Sequence, residues 1–525
     1  DIRFNKDSPL ETINPKYINY PHLYSITLPP SLITIKPGSF QRCLDLFQVI
    51  FLKNDDNENL LKYIGKYAFR GTSLESITIT ANVQQIGDYC FPTSLKSIVF
   101  EENARNLEKI GNHAFDGAQF ETFFMPSNTK PFLNSDCIFK DCKQLHTIVF
   151  DRSVNKDEPA PTDREEEDEF ESMPEKKENF FKKYHRYEAM SGRFCGYYEE
   201  EDIESYDIPS YDPARSYMFS GIKLEKLEIF SSKINNFFFS NTPYLTMIEI
   251  PSKENSRYVK ERGILYTKNQ KKLIVAERNI KDATIPSKCK IISNYAFNFD
   301  SFEKVSFEKN SELEEISVFA FSESNIKKLT IPDSVDNINL AAFYKCRLLE
   351  SVNLPNSLRK VGQISFSFTK LTEVTIPKSV IVIEYGSFYQ CSQLKKIEFE
   401  NESNLLCIEP FAFAKTSIEK VDLPNSCISL GEYCFANCEN LKIFNIKKDS
   451  YLEKIGQGCF KGTQIEQFTL PLYIKTFDLS YTEAKVVNVA NDCQYLNQFY
   501  SLSSTQITTI TIPPTVRTIT KHAFF

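Results

Sequence analysis

One feature constrains this chain before any other: a phenylalanine that returns, with its flanking pattern, along almost the whole sequence. Take Phe343 as reference. Val335 stands eight residues before it, Ile338 five before, Pro332 eleven before, and Leu349, Val352 and Leu354 follow. The frame fits at Phe40, Phe69, Phe91, Phe115, Phe139, Phe297, Phe321, Phe343, Phe366, Phe388, Phe413, Phe435, Phe460 and Phe524, and more loosely at Ile18, Phe219, Phe239, Leu479 and Leu502. That makes nineteen anchors, mostly 22 to 25 residues apart. Five before the anchor the residue is isoleucine in nearly every strong repeat, with Val361 and Leu430 as substitutes; Phe139 breaks the frame with Asn134. A repeat of this length means stacked units that bury a continuous core, not separate globular domains.

Each unit has a readable logic. The stretch Leu371 to Ile376 ends in strict apolar/polar alternation, the mark of a half-buried strand. Pro377 closes it, since proline cannot continue a ladder. The return, Val380 to Phe388, has apolar residues at spacings of three and five, which predicts a short helical or 3₁₀ turn rather than a strand. Two turn types roughly alternate. A short one places its next apolar residue five after the anchor, as Leu74 follows Phe69; a long one carries cysteine at three and the apolar residue at six, as Cys391 and Leu394 follow Phe388. The predicted fold class is therefore an α/β repeat solenoid, with parallel strands on the concave face and short helical, 3₁₀ or irregular segments on the other. Nineteen units at strand spacing predict a curved stack on the order of 90 Å long.

The hydrophobic strand, then Ile376-Pro377, with Ile64-Gly65 and Ala68-Phe69 in the return, resembles the leucine-rich repeats of the BspA-like surface-antigen family; Leu423-Pro424 to Cys434-Phe435 repeats the pattern. The resemblance covers nearly the whole chain except 151–218. It implies a cell-surface or extracellular antigen that acts in adhesion or in binding host or matrix proteins.

Two interruptions set the predicted organisation: repeats over 1–150, an insertion over 151–218, and repeats over 219–525. From Asp157 to Glu178 there are eleven acids and three bases, net −8, in a chain whose total is −7. Such a segment is expected to be a disordered loop. The second interruption, 257–276, has two β-prone runs around Lys268-Asn269-Gln270-Lys271 and reads as a hairpin, similar to one the same family places between repeats. Both ends fall inside the pattern, so the chain reads as a window of a longer protein.

Composition excludes little more. Hydrophobic residues are 41 %, charged residues 25 %, and the mild negative charge argues against nucleic-acid binding. No apolar run is long enough to span a bilayer as a helix. The five histidines stand in no metal or nucleophile motif, and no phosphate-binding loop or nucleophile elbow appears. No catalytic, cofactor-binding or metal-binding residue is assigned, no cofactor is implied, and the chain reads as a non-enzyme. Cys43, Cys142, Cys346, Cys391 and Cys438 share one slot, and Cys90, Cys434 and Cys459 another; slot-locked thiols behave as small buried hydrophobes. Only Cys434 and Cys459 occupy the same slot in adjacent units, within reach of a disulfide.

What remains is a surface. The residue between the two apolar strand positions is expected to face outward from the concave sheet. Along the stack it gives a binding face of Thr78, Thr330, Asn353, Thr375, Glu398, Asp422, Asn445 and Thr469, with Thr27, Ser306 and Thr511 in the same row. Concave solenoid sheets serve as extended protein- or glycan-binding faces, so the expected partner is a protein or glycan bound by a monomer. The unpaired cysteines favour a second reading, a cytoplasmic scaffold that holds protein partners.

Overall fold

The computed structural model describes residues 1–15, 18, 20–101, 106–125, 137–150, 222–229, 239, 242–251, 257–299, 301–493, 498–499 and 507–519. The predicted acidic insertion, 151–218, lies outside the described residues, as do Phe219, Leu502 and Phe524.

The repeats wind a parallel β-solenoid of roughly 17 turns of about 23 residues, against the nineteen read from the anchors. Each turn opens with a strand of three or four residues, such as Ser76–Ile79 or Glu373–Ile376, that alternates exposed and buried. Neighbouring strands run parallel and in register, Val374 beside Ile397 and Val421 beside Phe444.

The return segment differs from expectation: there is no α-helix among the described residues. In the return predicted to be helical, Val382–Ile383 is a two-residue strand, paired on one side with Lys360–Val361 and on the other with Cys407–Ile408. Such two-residue strands form a second parallel sheet, which in the C-terminal repeats runs to Lys454–Ile455 and on through a single bridge to Thr476. The helix-like spacing arises from a corner. Two residues before most anchors the backbone is left-handed, at Tyr67, Tyr89, Tyr295, Phe319, Phe411 and Tyr433 among others, and a left-handed residue stops a helix. The corner then presents the anchor's N–H to the next turn: Phe366 N–H donates to the Ser387 carbonyl at 2.9 Å, and Phe413 N–H to that of Cys434 at 2.9 Å. The corner is thus a third place, beside the main strands and the second sheet, where turns bond to one another.

The anchors queue inside. Phe321–Phe343, Phe343–Phe366, Phe366–Phe388 and Phe388–Phe413 have ring centroids 5.3, 5.1, 5.5 and 5.2 Å apart, nearly parallel. Phe40, Phe69, Phe91, Phe115 and Phe139 make a like column. The third residue after an anchor closes the corner. Thr369 Oγ1 donates to the Phe366 carbonyl (2.9 Å), and the Cys391 thiol of the next turn reaches the same oxygen (3.0 Å). The two slot residues therefore satisfy a buried acceptor, which explains their small polar character.

The alternating turn types have a structural consequence. The main strands do not form one sheet. They part between Gln48–Phe51 and Ser76–Ile79, Ser97–Phe100 and Thr122–Met125, Lys304–Phe307 and Lys328–Thr330, Ser351–Asn353 and Glu373–Ile376, and Ile443–Asn445 and Gln467–Leu470. Each of these breaks precedes a strand that follows a short turn, although Lys304–Phe307 and Val486–Val489 also follow short turns and pair fully with the strands before them. Strands that follow a cysteine turn, such as Ser351–Asn353 and Lys396–Phe399, pair fully with the strand before them.

The apolar interior forms two clusters, one from Ile13 to Val275 and one from Ile264 to Cys493, and 258–276 separates them. Tyr258–Glu261 and Ile264–Thr267 pair antiparallel; Ile264–Thr267 pairs antiparallel with Lys272–Ala276, which joins the second parallel sheet beside Ile291–Ile292. Leu265 and Val275 belong to the first cluster, while Ile264, Tyr266 and Leu273 belong to the second. Strand alternation thus makes this element a wall between two cores.

Arg278 completes the joint. It is fully buried, and its guanidinium donates to the carbonyls of Phe239 (3.3 Å), Thr242 (3.2 Å), Tyr295 (3.3 Å) and Ala296 (3.0 Å). Here one side chain does what a turn's backbone does elsewhere. Burial pulls its pKa down to about 9.

Candidate functional site

The strand alternation that buries Val352 or Val374 turns the next residue outward. All eight residues of the predicted face, Thr78, Thr330, Asn353, Thr375, Glu398, Asp422, Asn445 and Thr469, lie exposed on the main strands. Thr330 stands beside Asn353, Thr375 beside Glu398, and Asp422 beside Asn445. Asn353 Nδ2 donates to Thr330 Oγ1 at 3.3 Å, and Asn445 Nδ2 to Asp422 Oδ1 at 2.6 Å. These side-chain rungs orient neighbours along the row.

The two acids are paired within their own strands. Lys396 Nζ lies 2.7 Å from Glu398, and Lys420 Nζ lies 2.9 Å from Asp422. The Asn445 amide, then Lys420, holds the Asp422 carboxyl below its usual range. Glu398 raises the pKa of Lys396 in turn. Both pairs are exposed and contribute little to stability; their effect is to fix where charge appears on the face.

Sequence reasoning missed the N-terminal part of the same row. Between Thr27 and Thr78 stands Ile50, and beyond Thr78 stand Val99 and Phe124, exposed by 41 %, 53 % and 39 %. Tyr24 and Phe47, also exposed, stack at 5.6 Å beside them. The slot count alone identifies these residues. Their apolar character hid them, since Gln48 to Phe51, Ser97 to Phe100 and Thr122 to Met125 carry consecutive apolar residues and no polar one marks the outward position.

The cysteines are placed for packing. Thirteen are free among the described residues, and all but Cys137 and Cys407 are buried. Burial pushes the Cys346 thiol up to about 12 and those of Cys391 and Cys438 to about 11, away from the thiolate that reacts. Cys434 is pushed well up by burial and then by Cys459, against which it packs; both are free thiols. His113 stacks on Tyr89 at 4.7 Å. Among the described residues no three His, Cys, Asp or Glu side chains are grouped to hold a metal, and no helix is long and apolar enough to cross a membrane.

A parallel solenoid of short strands, turned at Pro and at Ala-Phe or Cys-Phe corners and carrying an outward row on its main strands, defines the leucine-rich repeat class. The sequence matches the BspA type leucine rich repeat region over 11–146, 196–278, 267–395, 364–485 and 408–525, and the chain belongs to that family. Among solved structures, a leucine-rich repeat protein from Eubacterium ventriosum is 18 % identical over 82 % of this chain and 83 % of that one, with a TM-score of 0.41. A leucine rich cell surface protein from Faecalibacterium prausnitzii is 16 % identical over 86 % and 89 %, with a TM-score of 0.30. The pneumococcal vaccine antigen PcpA is 17 % identical over 81 % and 74 %, with a TM-score of 0.32. No curated protein matches the chain.

Proposed function

We propose that this chain is a non-enzymatic recognition protein of a cell surface, which binds a protein or glycan through the outward row of its main strands. The observation that carries this reading is the row itself. Hydroxyl and amide side chains at Thr330, Asn353, Thr375, Asn445 and Thr469 are exposed, with acids set among them at Glu398 and Asp422, and Thr330–Asn353, Thr375–Glu398 and Asp422–Asn445 are paired in strand register. Polar groups spaced by a rigid scaffold suit an extended partner better than a small molecule. The surface location comes from the family, whose solved relatives include one named a cell surface protein. The cytoplasmic scaffold remains the second reading, favoured by the thirteen free thiols.

The test is capture of partners from host and cell extracts by the wild-type chain and by a triple variant, Thr330→Arg, Thr375→Arg and Thr469→Arg. All three sites are exposed, so folding is preserved. Partners held by the wild type and lost by the variant support the reading. Equal capture by both overturns it. A chain lacking 151–218, run in parallel, separates any contribution of that segment.

A further inference from the structure

The first five main strands differ from the rest in what they turn outward. Ser25–Leu28, Gln48–Phe51, Ser76–Ile79, Ser97–Phe100 and Thr122–Met125 each bury the second residue and present the first and third, and none of the presented residues carries a charge. On later strands the same two positions hold Lys226 and Glu228, Lys396 and Glu398, or Lys420 and Asp422.

The uncharged face mixes two kinds of group. Ile50, Val99 and Phe124 are exposed apolar side chains. Thr27 stands beside Ile50, and Thr78 beside Val99. Among the described residues the side chains of Gln48, Ser76, Thr78 and Ser97 make no hydrogen bond within the chain, whereas further along the row Asn353 bonds Thr330 and Asn445 bonds Asp422. Aromatic rings border the first two strands. Tyr24 and Phe47, stacked at 5.6 Å, hold the position just before the strand, which Glu75, Lys96 and Glu121 hold in the next three turns. Of those three, Glu75 and Lys96 are paired with each other at 2.7 Å.

We infer that this face binds an uncharged polysaccharide laid along the stack, its hydroxyls on Gln48, Ser76, Thr78 and Ser97 and its C–H faces on Phe47, Ile50 and Val99. The choice of partner follows from what the face lacks. A protein segment of ordinary composition brings a charged residue about every four positions, and burying one opposite no counter-charge costs free energy. A sulfated or uronic acid glycan meets no lysine or arginine at the outward positions. A neutral sugar offers only hydroxyls and C–H faces, the two kinds of group that the face itself offers. Five strands span roughly 20 Å at strand spacing, room for a run of sugars rather than a single one. The inference rests on the proposed recognition role and names the partner's chemistry at the N-terminal part of that face.

Isothermal titration calorimetry of the full chain with laminarin, hydroxyethyl cellulose, dextran and galactomannan tests it. The wild-type chain is expected to bind at least one of these neutral polysaccharides, with an affinity that changes less than about twofold between about 50 and 500 mM salt. The triple variant Phe47→Glu, Ile50→Glu and Val99→Glu is expected to bind about tenfold more weakly or worse. Glutamate holds the same strand positions elsewhere, at Glu75 and Glu398, so these exposed sites admit it. Ile50→Glu and Val99→Glu singly carry the test should the triple variant fail to fold. The variant Thr330→Arg, Thr375→Arg and Thr469→Arg is expected to stay within about twofold of wild type; loss of binding there overturns the assignment to the N-terminal strands. No binding of any of the four by the wild type, or equal binding by the triple glutamate variant, overturns the inference. Tighter binding of heparin than of every neutral polysaccharide overturns it in favour of an anionic glycan. Self-association abolished by the glutamates, with no polysaccharide bound, overturns it in favour of a second copy. Failure here, with partner capture still lost on the three arginine replacements, sinks the glycan inference alone. Capture indifferent to those replacements, with polysaccharide still bound, sinks the role of the C-terminal row and leaves this inference standing.

Discussion

At the scale of single residues, the repeat tolerates departures only where the next turn makes room. Gly431 lies where an added Cβ would sit 2.4 Å from the Pro410 nitrogen of the preceding turn. Gly431→Ala is therefore expected to destabilise by about 2 kcal/mol, since backbone must shift to admit the methyl; urea unfolding monitored by circular dichroism measures it. Glu384 and Glu409 occupy the equivalent slot, and there the carboxylates cap neighbouring N–H groups, Gln363 N–H on Glu384 (3.0 Å) and Tyr385 N–H on Glu409 (2.9 Å). Burial, then the nearby Glu384, raises the pKa of Glu409 from 4.5 to about 7. A carboxyl raised in the folded state favours folding while protonated. That contribution is complete below about pH 4.5 and is lost as pH rises through about 7. Glu409→Gln keeps the acceptor and removes the charge, so it is expected to stabilise the chain at about pH 8 by on the order of 2 kcal/mol and to change little at about pH 4. A gain of equal size at both pH values would refute the titration account.

At the scale of the element, much was legible and some was not. The anchors, the strand alternation and the closing prolines predicted the main strands, because burial on one face leaves a period of two in the sequence. The return was misread. Val380, Ile383 and Phe388 are spaced as on a helix, yet the spacing comes from a two-residue strand followed by a corner with Gly386 at φ 57°. Left-handed aromatic residues at the same corner in other turns leave no such signature. The site was half legible for a like reason: Thr330 and Asn353 announce exposure, whereas Ile50 and Phe124, apolar among apolar neighbours, give no such signal. The role of Arg278 lay beyond sequence reasoning, since its carbonyl partners on Phe239, Thr242, Tyr295 and Ala296 come from two distant turns. Arg278→Met keeps volume and abandons those acceptors. It is expected to destabilise by about 3 kcal/mol or more, read as lowered amide protection at 242–251 and 291–299. Unchanged protection there would show that the carbonyls find other donors.

At the scale of the molecule, the described repeats hold two cores joined through one antiparallel element, and each core grows by adding turns. Stability then resides in contacts between adjacent turns and falls off with distance along the stack. The most direct test of that claim is hydrogen exchange followed by mass spectrometry on Phe366→Ala, which removes one ring from between Phe343 and Phe388. Exchange is expected to rise in its own turn and in the turns anchored by Phe343 and Phe388, by the equivalent of about 3–5 kcal/mol at the centre, with little change at Phe297, Phe460 and throughout 20–101. Protection lost evenly across all the repeats, or lost nowhere beyond residue 366 itself, would contradict a column of mutually shielding turns.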